Sequence, residues 1–357
     1  MNPKRNQTYA IPGQPAEFRG MLKRAVRIVL IFGLPFAVLL LSFTMGRYSV
    51  SLPQMADIIR AHLLGLPDPG PASTSIVLLH VRLPRIAAAL LVGGALAAAG
   101  ASYQGLFRNP MVSPDILGAS AGAGFGAALA MLMSYGPAGI QLMSFLMGMG
   151  AVALTTFIGS IVSRRGGAVL SLVLTGIVIS TVFTALTSIT KLAADPDNKL
   201  PAITFWLMGG LSLTGPNDLI ILAPLVLIGL TPLLLLRWKL NVLSFGEEEA
   251  QALGVNTTRI RFITIISSTL LTAAAVSVSG IIGWVGLIVP HLSRMVVGPN
   301  YKVLLPVSAL YGAAYLLLVD DIARSALTLE IPLGILTALI GAPFFILLLI
   351  TGKRSWE

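Results

Sequence analysis

Apolar blocks separated by short polar segments make up almost the whole chain. They lie at about 27–46, 84–107, 113–133, 140–162, 168–190, 217–236, 262–297, 303–319 and 331–351. All of them except 262–297 are close in length to the ~20 residues that an α-helix needs to cross a bilayer. The pattern therefore predicts a series of membrane-spanning helices.

The block 262–297 is too long for one span, and basic residues flank it at Arg261 and Lys302. Two helices joined by a tight turn near Ser277–Gly283 would return the chain to the side on which the block begins. The sequence thus predicts an all-α integral membrane protein with ten transmembrane helices. The predicted organisation is a tail at 1–26, a single ten-helix domain at 27–351 and a tail at 352–357. Between the first two spans, SLPQMADIIRAHLLG predicts an amphipathic surface helix.

Composition and charge position agree with this interpretation. Only 11% of the residues are charged and 55% are hydrophobic, which excludes a soluble enzyme of this size. The net charge of +10 is no sign of a nucleic-acid partner, because most lysines and arginines lie in short loops beside apolar blocks. In the ten-span arrangement, the Lys and Arg residues predicted to be external are those at 47, 60, 82, 85, 191, 199 and 324. The positive-inside rule then places both termini in the cytoplasm.

Residues that carry chemistry in enzymes are sparse. The chain has no cysteine, its three histidines lack metal-ligand spacing, and no Walker A pattern is present. Asp320 and Asp321 are adjacent, so on a helix they point about 100° apart and cannot face each other as a catalytic pair. With Arg324 they are interpreted as a solvated polar corner on the external side. We therefore expect no enzyme activity, metal or cofactor on this chain itself.

Three glycines recur every four residues in the third predicted span. Gly118, Gly122 and Gly126 would share one helical face and allow a neighbouring helix to approach closely. A phosphate-binding role for the stretch GASAGAGFG is disfavoured, because no strand precedes it and the GxGxxG spacing is missing.

The segment 237–261, RWKLNVLSFGEEEAQALGVNTTRIR, is the longest polar stretch in the second half of the chain. Ser244 and Glu247 have capping-box spacing, Gly254 can end a helix, and Asn256 or Thr257 can cap the next one. Taken alone, these residues fit either a solvated connecting loop or a short helix that a soluble partner grips from the cytoplasm.

Arg82 and Arg85, in HVRLPRIAA, precede the second predicted span on the side where positive charge is scarce. Either they extend towards lipid phosphates, or they are exposed anchors for carboxylates on a partner protein.

Several motifs in order resemble one family over nearly the whole chain. They are RLPRIAAALLVGGALAAAGASYQGLFRNPMVSPDILGASAGAGFG, FWLMGGLS, GEEEAQALGV, GIIGWVGLIVPHLSRMVVG and EIPLGILTALIGAPFFILLL. Together they resemble the FecCD/BtuC-like permease subunits of type II ABC importers, which take up ferric siderophores, haem, cobalamin and, in some members, molybdate or tungstate.

The resemblance implies a permease in the inner membrane of a prokaryote that forms a dimer with a second copy or a paralogue. It also implies two ATPase subunits on the cytoplasmic side, which bind ATP and Mg, and a substrate-binding protein on the external side. The cargo it favours is a ferric siderophore or another iron complex, with cobalamin, haem and oxyanions as alternatives.

The resemblance assigns roles to individual residues, and it makes coupling the preferred interpretation of 237–261. The ATPase-coupling residues would be Gly246, Glu247, Ala250, Leu253, Gly254 and Val255. The residues that dock the binding protein would be Arg82, Arg85 and Arg324. A cytoplasmic gate would lie at Gly166, Gly167, Ala168 and Val169, where this chain has no serine or threonine.

Two other classes of function remain as alternatives. A secondary carrier without ATPases would need ionisable residues deep in its spans, and the sequence offers few. A membrane-embedded enzyme would need facing acids or a metal-ligating cluster, and neither is evident in the sequence.

Overall fold

Helices form all the regular secondary structure that the computed structural model describes, which covers residues 26–46, 50–67, 69–163 and 168–351. They are α1 (Val26–Thr44), α2 (Leu52–Leu64), α3 (Ser73–Leu106), α4 (Ala119–Leu132), α5 (Pro137–Val162), α6 (Ala168–Leu192), α7 (Lys199–Leu207), α8 (Pro216–Leu243), α9 (Glu247–Ala252), α10 (Thr257–Ser279), α11 (Val285–Val297), α12 (Tyr301–Ser325) and α13 (Leu333–Thr351). The predicted tails, apart from Val26, lie outside the described residues.

Ten of these helices occupy the positions of the ten predicted spans, and the predicted fold class is confirmed. Among the described residues, α1, α3, α5, α6, α8, α10, α12 and α13 are long and apolar enough to cross a membrane, while α4 and α11 are apolar but shorter. At 1.5 Å per residue, these two are only about 20 Å long. Each is preceded by non-α-helical chain, a 3₁₀ turn at Pro114–Leu117 before α4 and a loop after Ser279 before α11. These segments occupy the remaining part of the two predicted spans.

The break between α10 and α11 confirms the division of the long block 262–297. Gly280 ends α10 with a φ of +67°, and a Cβ atom there would lie 2.3 Å from the carbonyl oxygen of Trp206. Only glycine combines this left-handed backbone with so close an approach of another segment.

The second span is longer than predicted, because α3 begins at Ser73 rather than near residue 84. Proline is normally found near a helix start, because it lacks the N–H that a helix interior needs, so a continuous helix through Pro84 needs an explanation. A π-helical turn at Val77–Arg82 precedes it, and this wider turn accommodates the ring so that the helix continues. As a result, Arg82 and Arg85 lie within the helix, and the prediction that they precede it is wrong.

The glycines of the third span divide into two groups. Gly118 precedes α4 with a φ of +90°. The prediction that it shares a helical face with the other two is therefore wrong. Gly122 and Gly126 pack on α5, where added Cβ atoms would lie 2.5 and 2.3 Å from the carbonyl oxygens of Met147 and Met143. These two positions therefore set how closely α4 and α5 approach.

The amphipathic helix predicted between the first two spans is present as α2. Ser51 and Gln54 form a reciprocal capping box at its start. Met55 and Ile58 are buried in a cluster with Val50 and Leu78, so α2 lies against the first turns of α3.

Candidate functional site

The two ends of α12 mark the two ends of the bundle. Tyr301, at its start, packs in a cluster with Leu240, Leu243 and Ala250, and Arg324, near its other end, belongs to a buried group of charges. We call these the α9 end and the arginine end. They correspond to the sides that the charge distribution predicts to be cytoplasmic and external.

At the α9 end, the segment 237–261 forms the end of α8, the short helix α9, a corner and the start of α10. Gly254 makes the corner with a φ of +77°, and the Asn256 side chain caps α10 by accepting a hydrogen bond from Arg259 N at 2.9 Å. The predicted capping box is wrong, because Gly246 is the N-cap of α9 and the Ser244 hydroxyl donates instead to Asn241 O. Since Gly246 has a φ of +138°, the chain turns sharply before α9.

The predicted coupling residues separate into a buried set and an exposed set. Ala250 and Val255 are buried against the ends of α8 and α12, and they anchor α9 to the bundle. Leu253 is 68% exposed, and Gly254 is exposed beside it. Glu247 forms an ion pair with Arg261, which ties the start of α9 to α10. The acidic helix is thus fixed on one side and open on the other.

A groove of about 770 Å³ lies beside α9. Its lining residues are Phe107, Arg108, Asn109, Val112, Ile116, Val169, Leu170, Val173, Phe245, Gly246, Glu247, Glu248 and Glu249. Phe245 is 73% exposed on this surface. The sequence analysis did not predict a role for this residue. Its position directly before GEEE in a polar stretch was a signal of an exposed aromatic side chain. The groove leaves room for another protein to reach α9.

The predicted gate is only partly described. Gly166 and Gly167 lie outside the described residues, Ala168 begins α6, and Val169 is half-buried in the lining of the groove. The structure brings Val169 close to α9, but it does not show a gate.

At the arginine end, Asp320 and Asp321 are fully buried, so the interpretation of a solvated corner is wrong. Both lie within α12, which continues to Ser325, and burial is possible because each carboxylate has a cationic partner. Arg85 donates from Nε and Nη2 to Asp320 at 2.9–3.1 Å. It also donates from Nη1 to Glu330 at 2.9 Å.

Arg82 and Arg324 hold the last turn of α1. Arg82 Nη1 donates to Phe43 O at 2.8 Å, and Arg324 Nη2 donates to Ser42 O at 2.9 Å and pairs with Asp321. The carbonyls of a last helical turn lack partners within the helix and attract cations. The two guanidinium groups therefore connect α1 to α3 and α12. All three predicted docking arginines are buried and have acceptors within the chain. None of them is an exposed anchor in this structure, and their docking role stays a prediction.

The chain is similar to known proteins over most of its length. The model of the FecCD transport family matches residues 34–351. The molybdate import system permease MolB of Haemophilus influenzae is 43% identical over 329 residues, which are 91% of this chain and 96% of that protein. An iron chelatin transport system permease of Helicobacter pylori is 39% identical over 316 residues, 88% of this chain and 94% of that one.

A solved structure agrees with the fold at a similar level of identity. It is described as an inward-facing conformation of a metal-chelate type ABC transporter. The superposition has a TM-score of 0.80 with 42% identity, and it covers 90% of this chain and 98% of the solved chain.

Proposed function

The chain belongs to the FecCD transport family, and on that premise we propose that, as a membrane permease subunit of an ABC importer, it carries a ferric siderophore or another iron complex across the inner membrane. In this proposal, the energy comes from ATP hydrolysis on partner subunits, and both termini and α9 face the cytoplasm.

The exposed face of α9 is the observation that carries the proposal. An exposed phenylalanine, Phe245, and three glutamates border an open groove at the end of the bundle predicted to be cytoplasmic, and the exposed Leu253 directly follows α9. Such a surface on a short, anchored helix suits a soluble motor protein that pushes or pulls on it. We propose that Leu253, Gly254 and Phe245 contact the ATPase, while Gly246, Glu247, Ala250 and Val255 transmit the movement to α8, α10 and α12.

A polar junction supports transmission into α12. The Asn241 amide donates to Asn300 Oδ1 at 2.8 Å, and Asn241 Oδ1 accepts from Tyr301 N at 2.6 Å. The end of α8 is thereby fixed to the start of α12, so a displacement of α9 would move both helices together.

The relatives support two classes of cargo. The Helicobacter pylori relative is named for an iron chelatin, which supports the iron complex. The Haemophilus influenzae relative is named for molybdate and has the higher identity, which favours molybdate as the second candidate. We propose that a second permease, either a copy of this chain or a paralogue, and a substrate-binding protein complete the importer for either cargo.

Uptake into proteoliposomes tests both levels of the proposal. The permease would be co-expressed with its candidate ATPase and binding protein, and uptake of radiolabelled ferric siderophore and of radiolabelled molybdate would be compared with and without ATP. ATP-dependent uptake of the iron complex supports the first candidate, and uptake of molybdate alone supports the second. Uptake that needs no ATPase would contradict the importer and favour a secondary carrier.

A further inference from the structure

A pocket of about 460 Å³ lies between the end of α8 and the start of α10, directly after α9. It shares no lining residue with the groove beside α9. Part of its wall is apolar and includes Leu236 of α8 and Ile260 and Ile263 of α10. The polar part of the wall is positively charged, so the pocket combines two kinds of surface.

Two positive charges line this pocket without a counter-charge. Lys239 lies near the end of α8, and Arg259 lies in the first turn of α10. Among the described residues, neither forms an ion pair with an acidic side chain, whereas Arg261 on the same turn of α10 pairs with Glu247. Asn256 uses its side-chain oxygen to cap α10, so its amide nitrogen is left as a further donor to the pocket. None of the lining residues is acidic, and the pocket therefore suits an anion.

The surface around the pocket has the features of a membrane interface. Leu235, beside Leu236, and Phe262, beside Ile263, are highly exposed. Both belong to helices long and apolar enough to span a membrane, so their side chains contact lipid acyl chains. Trp238 lines the pocket and is half exposed, and tryptophan is enriched at the level of the lipid headgroups. A lipid here can place its headgroup and its chains on the protein at once.

We propose that this pocket binds an anionic phospholipid of the leaflet that surrounds the α9 end. Lys239, Arg259 and the Asn256 amide hold its phosphate, because charge-assisted hydrogen bonds to phosphate are among the strong ones. The acyl chains follow the apolar wall towards Leu235 and Phe262. Basic pockets between membrane helices are a recurrent means of binding such headgroups.

The depth of the apolar wall favours a lipid over a soluble partner. Leu253 and Gly254, which we propose to contact the ATPase, also border the pocket, so an ATPase segment is the competing occupant. However, Leu236 lies seven residues before the end of α8, and Ile263 lies six residues after the start of α10. At 1.5 Å per residue, each is about 10 Å inside its span, in the part of the bundle that lipid surrounds. A free anion would pair with the cations but leave this wall uncovered.

The bound phosphate also has a structural effect. Lys239 and Arg259 are like charges in one pocket, and an anion between them offsets their repulsion. It joins the end of α8 to the start of α10, the two helices that α9 connects. The proposal depends on the pocket alone and not on the cargo or the ATPase, so the proposed function can fail while the lipid site stands.

Lipid titration of the full-length permease tests the site. The chain would be purified in a non-ionic detergent, and native mass spectrometry would count the molecules of phosphatidylglycerol or phosphatidylcholine that are bound. Half-occupancy should need about ten-fold less phosphatidylglycerol, because the cationic group of phosphatidylcholine is repelled by the two basic side chains. Equal binding of the two lipids would overturn the proposal.

Substitutions locate the binding at the pocket. Lys239→Gln and Arg259→Gln should each raise the half-occupancy concentration of phosphatidylglycerol about five-fold, the effect of one cation near a headgroup. Arg237→Gln is the matched control, because Arg237 is exposed on α8 two residues before Lys239 and does not line the pocket. It should leave that concentration nearly unchanged. An equal effect of all three variants would show attraction to the general surface charge and contradict a specific site.

Two further measurements separate the other occupants. Inorganic phosphate at the same concentration should not displace phosphatidylglycerol, because phosphate has no acyl chains to cover the apolar wall. Displacement would assign the pocket to a free anion instead. Phosphatidylglycerol should also stay bound when the candidate ATPase joins the permease, and its loss on assembly would assign the pocket to the ATPase.

Fluorescence quenching supplies a readout that needs no charge variant. Phosphatidylglycerol with brominated acyl chains quenches the tryptophans that it contacts, and it should quench the wild-type permease more than brominated phosphatidylcholine does. The excess should disappear in Trp238→Phe, since Trp238 lines the pocket. An excess that persists in this variant would place the lipid elsewhere and exclude the proposed site.

Discussion

Gly93 of α3 and Gly312 of α12 meet backbone to backbone. A Cβ atom on Gly93 would lie 2.2 Å from the carbonyl oxygen of Gly312, and one on Gly312 would lie 2.3 Å from that of Gly93. The same two helices are joined by Arg85 and Asp320 at the arginine end, and Gly105 packs on Tyr301 at the α9 end. Helices α3 and α12 together therefore form a continuous rigid connection between the two candidate sites.

Substituting Gly312 tests this connection. Gly312→Ala should destabilise the protein by about 1–3 kcal/mol, because the added methyl group has no room unless the helices separate. Thermal unfolding in detergent measures the change. Gly150→Ala in α5 is the control, since nothing lies within 4 Å of the added Cβ, and it should be neutral or slightly stabilising. Equal melting temperatures for both variants would show that the helices do not depend on this contact.

The number of spans and their approximate positions could be predicted from the sequence, because a bilayer requires long apolar helices. The turn in 262–297 could also be predicted, from its length and flanking charges. The start of α3 could not, because Pro84 normally marks a helix boundary and only a preceding π-helical turn permits continuation. The start of α4 could not be predicted either. Gly118 fits the four-residue glycine repeat of one helical face as well as it fits the left-handed position just before a helix.

The candidate sites were predictable to different degrees. The motif GEEEAQALGV identified α9, but it could not show that Ala250 faces the bundle while Leu253 faces outwards. At the arginine end, Asp320 and Asp321 are typical of a solvated loop by composition. Arg324 pairs with Asp321 within the same helix. The burial of the two acids also depends on Arg85, which is distant in the sequence and reaches Asp320 only in the folded bundle. Adjacency in the sequence does not reveal that long-range ion pair.

The two carboxylates that bind Arg85 should differ in their effect on stability. Asp320→Asn leaves a buried guanidinium group without its main counter-charge and should destabilise the protein by about 3–5 kcal/mol. Glu330→Gln removes a partly exposed partner and should cost no more than about 1 kcal/mol. Thermal unfolding in one detergent compares the two variants. The double variant Arg85→Gln/Asp320→Asn should recover part of the loss, and an additive loss would contradict the ion pair.

The orientation of the bundle can be tested with single cysteines, because the chain has none of its own. Leu213→Cys lies between α7 and α8 at the arginine end, and Leu253→Cys lies beside α9; both positions are highly exposed. In spheroplasts, a membrane-impermeant thiol reagent should label residue 213 directly and residue 253 only after permeabilisation. The opposite result would place α9 outside the cell and exclude its contact with an ATPase.

A charge on the exposed face of α9 should uncouple the permease from its motor. Leu253→Asp places a carboxylate beside Glu247, Glu248 and Glu249, where burial against a partner would cost both desolvation and repulsion between like charges. We expect at least a ten-fold loss of ATPase co-purification and of ATP-dependent uptake. The melting temperature should be unchanged, because Leu253 is exposed and its removal leaves no cavity. Leu213→Asp introduces the same charge at the opposite end and should leave ATPase binding intact. If Leu253→Asp retained full binding and uptake, α9 would be an ordinary connecting loop.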